Sequence, residues 1–291
     1  MKNNQGLQEK KTVALRSVFA AVFLTAIKII VGMTTGSLGI LSEALHSGLD
    51  LIAALMTYFA VKIADKPADS DHNYGHGKVE NLSALFETVL LVITCFWIVQ
   101  EAIYRLLSGK TEIKVTIWSF IVVIASIIID AGRSIALKRV AKKYNSQALE
   151  ADALHFSTDI LSSLVVLIGL IGALTGYFIA DSISALFVAV IVLSVCFRLG
   201  KKSIDVLLDK SREDLILIVS NIIKGIPDIR TYHDLKIRTS GADTFVDLSI
   251  HLHPNSTLEF AHHISDELES RIRSQISRCE VHVHAEPDLD I

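Results

Sequence analysis

Cysteine is scarce in this sequence, and its three cysteines follow no recognisable pattern. They stand far apart, without a Cys-x-x-Cys pair, at Cys95, Cys196 and Cys279. Disulfide frameworks and thiolate zinc sites need several cysteines at short, defined spacings, so neither kind of structure is indicated. We interpret all three as packing residues.

The sequence also has no large excess of charge of one sign. Its 28 Lys and Arg residues nearly balance its 31 Asp and Glu residues, which gives a net formal charge of -3. A strongly basic balance would have indicated nucleic acid or anionic substrates. Nucleic acid is therefore not an expected partner. The polar N-terminus is followed by no short apolar region with a small-residue cleavage site, so no signal peptide is evident.

Enzyme motifs are missing as well. An intramembrane hydrolase or acyltransferase that uses His and Asp is the enzyme class to consider, but a zinc protease would carry His-Glu-x-x-His on a helix, and the sequence has none. No Ser or Cys nucleophile sits in a recognisable motif. The expectation is that the chain is not an enzyme.

Apolar residues, by contrast, are abundant: they make up 51% of the chain, and the mean hydropathy is +0.47. A bilayer takes about 20 helical residues to cross. Six apolar runs reach or approach that length: 13–34, 38–64, 82–107, 115–137, 153–177 and 179–197. The sequence predicts six transmembrane helices embedded in lipid.

Lysine and arginine predict the orientation of these helices, because they are enriched in cytoplasmic loops. The opposite connections are short and poor in charge, with Arg105, Lys110 and Lys114 as exceptions. Both termini are therefore expected in the cytoplasm. The basic residues at that set of ends are Lys2, Lys10, Lys11, Lys62, Lys66, Lys78, Lys138, Arg139, Lys142, Lys143, Lys201 and Lys202.

After about residue 205 the composition becomes that of a soluble domain. The patterns predict a helix near 212–225, strands near 230–239 and 243–252, a helix near 257–275 and a strand near 279–285. Ser256 and Glu259 have the spacing of a capping box at the start of the second helix. We therefore divide the chain into a transmembrane domain, 1–205, and an α+β cytoplasmic domain of αββαβ order, 206–291.

Two of the predicted spans carry the same ionisable pattern. His46 and Asp50 in the second span, and His155 and Asp159 in the fifth, are four residues apart, so each pair shares one helix face. Two imidazoles and two carboxylates complete a tetrahedral site for a borderline divalent metal such as Zn²⁺. The alternative is that these residues are polar contacts that hold helices together.

The depths of the two pairs need to be reconciled, because His155 lies near the cytoplasmic start of its apolar run and His46 in the outer half of its own. A fifth helix that begins near Ser146 and lines a polar cavity would bring the two pairs level.

Further metal-ligating side chains lie outside the predicted spans. The connection after the second span contains Asp69, His72 and His76, which form either a second metal site or an ordinary polar turn. The C-terminal domain adds ligands that are either metal-binding or simply surface residues. They are His233, His251, His253, His262, His263, His282, His284 and Glu286.

Strand alternation sorts some of these histidines by face. His282 and His284 share one face, and so do His251 and His253. The adjacent residues His262 and His263 point to different sides of their helix.

With these residues in place, the sequence closely resembles the cation diffusion facilitator family of proton-coupled efflux transporters for zinc and related metals. The resemblance covers nearly the whole chain. It rests on GSLGILSEALHSGLD, PADSDHNYGHGKVENL, EADALHFSTD, HDL, AHHISDELE and HAEPD. It implies a homodimer with six transmembrane helices per chain and a ferredoxin-like, metallochaperone-like cytoplasmic domain.

The resemblance also implies a role for each candidate residue. The transported ion would bind His46, Asp50, His155 and Asp159, and the loop site would be Asp69, His72 and His76. Lys78 and Asp209 would form a salt bridge that holds the dimer. The cytoplasmic metal site would use His233, His262, His284 and Glu286.

One position departs from the family pattern. Ser249 stands where relatives often have a strand histidine, and His251 lies two residues further on the same face, so His251 joins the cytoplasmic ligands. The number of metals in this domain is therefore open. The segment KRVAKKYNSQ lacks the histidine-rich insertion of some eukaryotic members, which places the protein in a prokaryotic plasma membrane.

These residues lead us to expect export of Zn²⁺, with Co²⁺, Cd²⁺ or Fe²⁺ as alternatives, in exchange for protons. Imidazole and carboxylate bind either a metal or a proton, so competition alone yields antiport, with His46 and His155 as the expected proton carriers. A membrane metal sensor that binds without transporting is the remaining alternative.

Overall fold

The computed structural model describes residues 2–35, 38–108, 117–175 and 179–288. These residues form two compact units, Met1–Pro67 with Val79–Ile204, and Ala68–Lys78 with Asp205–Ile291. The predicted boundary at 205/206 placed the connection 68–78 with the transmembrane part, whereas the structure groups it with the C-terminal unit.

Six long helices follow one another before the C-terminal domain. They are α1 (Lys2–Thr35), α2 (Leu38–Ala64), α3 (Val79–Ser108), α4 (Ile117–Tyr144), α5 (Gln147–Thr175) and α6 (Ile179–Leu207). Within the described residues, four stretches are long and apolar enough to cross a membrane by length and composition: Gln5–Thr34, Ala44–Ala64, Val79–Tyr104 and Phe120–Tyr144. Helices α5 and α6 have 29 residues each. The predicted connections TTGS, SGKTEIK and TGYFIAD lie partly outside the described residues, and so do Lys110 and Lys114.

Small residues let the helices of the first unit pack closely, as is usual inside a membrane bundle. Ala53, Ala54, Ala148 and Ala151 are fully buried. The main helix pairs are α1 with α2 and α4 with α5, and α3 packs on both α2 and α5. Large apolar side chains such as Phe19 remain exposed, as expected for a surface that faces lipid.

Two buried lysines cross-link the helices of this unit. Lys10 Nζ in α1 lies 2.7 Å from Asp65 Oδ2, just after α2, and 3.2 Å from Glu80 Oε1 in α3. Lys28 Nζ, seven residues before the end of α1, donates to Ser47 Oγ of α2 at 2.8 Å. Charged groups in a bundle interior are stable only when they are partnered, so these contacts hold α1 against its neighbours.

The C-terminal unit has the predicted αββαβ order: α7 (Glu213–Lys224), β1 (Thr231–Ser240), β2 (Asp243–Leu252), α8 (Leu258–Gln275) and β3 (Cys279–Pro287). The sheet order is β1-β2-β3, with β1 antiparallel and β3 parallel to β2. Both helices pack on one face, where a single apolar core forms from α7, α8 and alternate strand residues such as Val246 and Ile250. The other face of the sheet carries the histidines.

The predicted capping box is wrong by one residue. The N-cap of α8 is Thr257, whose side chain accepts a hydrogen bond from the backbone N–H of Phe260. Ser256 and Thr257 are both good caps, and their order in the sequence alone does not decide between them.

The connection 68–78 packs against the β1–β2 hairpin. Tyr74 meets Phe245 edge-on at 5.2 Å between ring centroids, and Arg238 lies over Tyr74 at 3.7 Å. Gly77 allows a close approach, because a Cβ there would lie 2.3 Å from the carbonyl oxygen of Ser240. The connection is thereby fixed to the sheet of its own unit.

Candidate metal centres

Helices α2 and α5 bring the two His–Asp pairs together in one ring. His155 Nε2 lies 3.1 Å from Asp50 Oδ1 and 3.5 Å from Asp159 Oδ2. His46 Nε2 lies 3.8 Å from Asp50 Oδ1 and 3.6 Å from Asp159 Oδ1. Imidazole and carboxylate therefore alternate around the four residues, which we call the His–Asp ring.

The difference in depth between the two pairs disappears because α5 starts earlier than its apolar run. The helix begins at Gln147, and Ser146 Oγ accepts a hydrogen bond from the backbone N–H of Leu149 in its first turn. His155 thus lies in the third turn and is 1% exposed. The expectation that this helix starts near Ser146 is confirmed.

The ring has the donor set of a transition-metal site. Two nitrogens and two carboxylate oxygens suit Zn²⁺ and similar borderline cations better than Mg²⁺ or Ca²⁺. Two carboxylates also balance the charge of a divalent ion in a bundle where unpaired charge is costly. The carboxylate of Asp159 and its partner Asp50 are nearly buried, so a bound ion would be shielded from lipid.

A small cavity adjoins the ring on one side. Its walls include His46 and Asp159 together with Thr94, Cys95, Ser162 and Val192 of α3, α5 and α6. These residues of α3 and α5 lie beyond the ring in the direction away from the α2–α3 connection. The cavity therefore adjoins the ring on the side away from the α2–α3 connection.

Sequence reasoning missed a network of buried polar residues near the ring. Arg133 of α4 donates to Asp130 Oδ1 at 3.1 Å and to Ser17 Oγ, and its guanidinium lies 3.4 Å from the centre of the Phe156 ring. Ser17 in turn donates to Asp152 Oδ2 at 3.3 Å. Asp152 precedes His155 by three residues, as Glu43 precedes His46, so it belongs to the repeated pattern, but no role was assigned to it. Asp130 and Arg133 belong to no repeated pattern, and their presence in a predicted span was the only available signal.

The loop residues form a second cluster, which we call the loop cluster: Asp69, His72 and His76. Asp69 Oδ1 lies 3.4 Å from His72 Nδ1, and Asp69 Oδ2 lies 3.4 Å from His76 Nε2. The backbone N–H of His72 donates to Asp69 Oδ1 at 2.8 Å and lowers the pKa of that carboxyl below its ordinary value. An ionised Asp69 beside two imidazoles is suited to bind a cation.

A third cluster, the tail cluster, lies on the open face of the sheet: His233, His251 and Glu286. Glu286 Oε2 is 3.6 Å from His233 Nε2 and 3.8 Å from His251 Nε2. His284 borders the cluster, with its Nε2 3.3 Å from Glu286 Oε1.

The strand register explains why His251 takes part. Ser249 is paired with His233 on β1 and with His284 on β3, so it occupies the position between two histidines on the same face. His251 is paired with Glu286, one step further along the same face. A histidine two residues on therefore supplies the imidazole that Ser249 lacks.

Within one chain, the structure does not bring His262 to the tail cluster. His262 is on α8, on the covered face of the sheet, where its Nε2 lies 3.4 Å from Asp266 Oδ2. His253 follows the end of β2 at Leu252, so the strand alternation that predicted a shared face with His251 does not extend to it. The sheet lies between α8 and the cluster.

Lys78 and Asp209 meet as the resemblance implied, with 2.8 Å between Lys78 Nζ and Asp209 Oδ1 within one chain. Lys78 Nζ also donates to the carbonyl oxygen of Leu207 at 3.4 Å. The pair ties the connection 68–78 to the end of α6.

Comparison with protein families matches two domain models in succession. Residues 14–208 match the cation efflux transmembrane domain, and residues 212–288 match the cytoplasmic domain of cation efflux proteins. The chain belongs to the cation efflux family. The predicted family resemblance and fold class are confirmed, and all six helices fall within or overlap the transmembrane match.

Relatives in the cation efflux family extend over nearly the whole chain. The cation-efflux pump FieF of Shewanella oneidensis is 31% identical and the alignment covers 95% of this chain and 94% of the relative. FieF of Cronobacter sakazakii is 30% identical, with 94% and 91% covered. An uncharacterised transporter of Methanocaldococcus jannaschii is 30% identical, with 95% and 99% covered.

Solved structures that resemble the chain are cytoplasmic domains. A nickel form of the MamM C-terminal domain is 26% identical and covers 27% of this chain and 100% of its own length, with a TM-score of 0.26. The metal-bound C-terminal domain of CzcD from Thermotoga maritima is 20% identical and covers 25% and 87%, with a TM-score of 0.25. Membership in the family makes this protein a multi-pass membrane transporter that exports cations.

Proposed function

We propose that this transporter exports a divalent transition metal, Zn²⁺ first, from the cytoplasm in exchange for protons. The observation that carries the proposal is the His–Asp ring, in which two imidazoles and two carboxylates alternate within 3.1–3.8 Å between α2 and α5. The relatives named cation-efflux pumps support the direction of transport. Co²⁺, Cd²⁺ and Fe²⁺ are the alternative cargoes, since they accept the same ligands.

Proton exchange follows from the chemistry of the ring. His155 and His46 must be neutral at the coordinating nitrogen to bind metal, whereas without metal each imidazole can share a proton with a neighbouring carboxylate. Metal and protons therefore compete for the same atoms. Alternating access of the ring to the two membrane faces would couple metal export to proton entry.

The membrane placement is part of the same proposal. The protein would lie in a prokaryotic inner membrane as a homodimer with both termini in the cytoplasm, supported by the lysine distribution and by the match to the cytoplasmic dimer domain. The loop and tail clusters would then face cytoplasmic metal, and the Lys78–Asp209 pair would help to hold the dimer.

Reconstituted flux tests the proposal. Purified protein in proteoliposomes with an acidic lumen should accumulate Zn²⁺ and alkalinise the lumen in step with metal entry, because protons leave as metal enters. The same assay should give a ranked series for Co²⁺, Cd²⁺, Fe²⁺ and Mn²⁺. Binding without flux would instead indicate a membrane metal sensor, which the tail cluster would also suit.

We expect His46→Asp to broaden the choice of metal. The substitution replaces a borderline nitrogen with a hard oxygen, so acceptance of Cd²⁺ or Mn²⁺ relative to Zn²⁺ should rise by about tenfold. Competition between metals in proteoliposomes measures the change, and Ser162→Ala, in the cavity wall, serves as the matched control. An unchanged ranking would show that selectivity is set elsewhere.

A further inference from the structure

Strand β1 contains a β-bulge beside the tail cluster. His233 is paired with Ser249 of β2, and the next pair joins Lys236 to Asp247. Strand β1 therefore has two residues between these pairs where β2 has one. An extra residue of this kind changes the face to which the side chains on either side of it point.

The bulge determines the face of the sheet on which His233 lies. Tyr232, Leu235 and Ile237 all pack against the apolar core. In a regular strand, residues three apart, such as 232 and 235, point to opposite faces. Without the extra residue, alternation back from Ile237 would place residue 233 on the core side. The bulge instead leaves His233 on the open face, with the tail cluster.

Asp234 has an unusual backbone conformation at the bulge. Its φ is 52°, in the left-handed region that β-branched and bulky residues rarely adopt. Aspartate and asparagine enter this region more easily than other residues with a side chain, and glycine enters it without strain. The residue type at position 234 therefore affects how readily the bulge forms.

The side chain of Asp234 contacts the same histidine. His233 Nδ1 lies 3.2 Å from Asp234 Oδ2, within hydrogen-bond distance. An ionised carboxylate only accepts hydrogen bonds, so Nδ1 of the neutral imidazole carries the proton and donates it. Nε2 then keeps its lone pair, and Nε2 is the atom that lies 3.6 Å from Glu286 Oε2 in the tail cluster.

His251 has a similar arrangement. Its Nε2 lies 3.8 Å from Glu286 Oε2, and its Nδ1 lies 4.0 Å from Asp288 Oδ1. Both histidines thus direct Nε2 to the same carboxylate oxygen and Nδ1 to a separate aspartate. Histidines that bind metals commonly have a carboxylate at the other ring nitrogen, which fixes the tautomer and the orientation of the ring.

We propose that Asp234 positions His233 for metal binding. Its backbone forms the bulge that turns the imidazole toward the tail cluster, and its carboxylate holds the tautomer that leaves Nε2 free for the ion. The proposal rests on the proposed metal-binding role of the tail cluster. One residue would thus set both the direction and the protonated nitrogen of a ligand.

The zinc affinity of the tail cluster tests this proposal. In full-length protein, Asp159→Ala and Asp69→Ala remove one ligand each from the ring and from the loop cluster, and a chelating indicator then reports competition for Zn²⁺. In this background Asp234→Gly should keep the bulge but lower the zinc affinity about tenfold or more, because the carboxylate beside Nδ1 is lost. Asp234→Asn keeps an acceptor oxygen and tolerates the same φ, so it should lose less affinity.

Asp234→Val tests the backbone role. A β-branched residue is strained at this φ, so the bulge should be weakened and the zinc affinity should fall about tenfold below that of Asp234→Gly. Arg278→Val is the matched control, because Arg278 has a φ of 54° and precedes β3 at the end of the sheet away from the tail cluster. This control should lower the thermal stability in the same way and leave the zinc affinity unchanged.

The tautomer of His233 gives a readout that needs no metal. NMR of histidine-labelled, metal-free protein distinguishes an imidazole protonated at Nδ1 from one protonated at Nε2, and His233→Gln identifies the signal. His233 should be protonated at Nδ1 in the wild type and should shift toward protonation at Nε2 in Asp234→Gly, because the acceptor is gone. A general loss of stability would not change the tautomer.

Glu286→Gln in the same background separates a failure of this proposal from a failure of the cluster. Zinc binding that does not change in Glu286→Gln would show that the tail cluster is not a metal site, and the proposal would fall with it. Zinc binding that is lost in Glu286→Gln but equals that of the parent in Asp234→Gly and Asp234→Val, with an unchanged His233 tautomer, would overturn the positioning role of Asp234 alone.

Discussion

Replacing Asp159 by alanine should abolish metal flux. Asp159, like Asp50, lies next to both imidazoles of the ring, with its carboxylate oxygens 3.6 Å from His46 Nε2 and 3.5 Å from His155 Nε2. Its loss leaves three ligands and one negative charge for a divalent ion in a buried site. Removing one partner from a buried charged cluster costs about 3–5 kcal/mol, which corresponds to a loss on the order of 100-fold or more in ion binding.

Zinc uptake into proteoliposomes measures this effect, with equilibrium zinc binding by the same variant as a second readout. Ser162→Ala, one turn further along α5 in the cavity wall, should transport like the wild type. Size-exclusion profiles and thermal melting establish that both variants are folded. Wild-type flux from a folded Asp159→Ala protein would remove the ring from the mechanism.

The isolated domain 207–291 should dimerise at least about tenfold more tightly with Zn²⁺ than without it, because an ion that binds the assembled form favours it by mass action. The tail cluster supplies three ligands in one chain, His233, His251 and Glu286, and His284 at its border can contribute a fourth. A metal bound there would stabilise a closed arrangement of two domains.

In the full-length transporter, His284→Ala should lower activation by metal and leave basal flux.

Sedimentation of the fragment with and without Zn²⁺ is the measurement. Glu286→Gln should abolish the effect of metal, because Glu286 contacts every histidine of the cluster, whereas His263→Ala on α8 should not. His262→Ala decides a further point: loss of the metal effect would mean that the partner chain supplies His262, since its own α8 holds it on the other face of the sheet. An association constant indifferent to metal would contradict the prediction.

The elements and the ring were predictable because their signals are periodic. Long apolar runs predict membrane helices whatever they pack against, and strand alternation predicted the order of the C-terminal unit. The four-residue spacing in two spans placed His46 with Asp50 and His155 with Asp159 before any packing was known. The two His–Asp helix faces could then be predicted to meet, because buried charged residues are expected to have partners.

The position of His262 was not predictable in the same way. His262 belongs to a helix whose side of the sheet is set by the apolar pattern of α8 and β2 together, which the ligand spacing does not contain. Contacts between residues of different helices and strands can be identified only once the tertiary structure is known.

The contact between Lys28 and Ser47 has a consequence for how the protein enters the membrane. Before α2 is made, Lys28 cannot contact Ser47, and a charged residue inside a span raises the cost of insertion, by up to about 2.5–3.5 kcal/mol at the centre of a helix. Ser47 follows only 19 residues later along the chain. The first two helices are therefore best inserted together as a hairpin. The Lys28 ammonium can then form its hydrogen bond to Ser47 as soon as it enters the lipid.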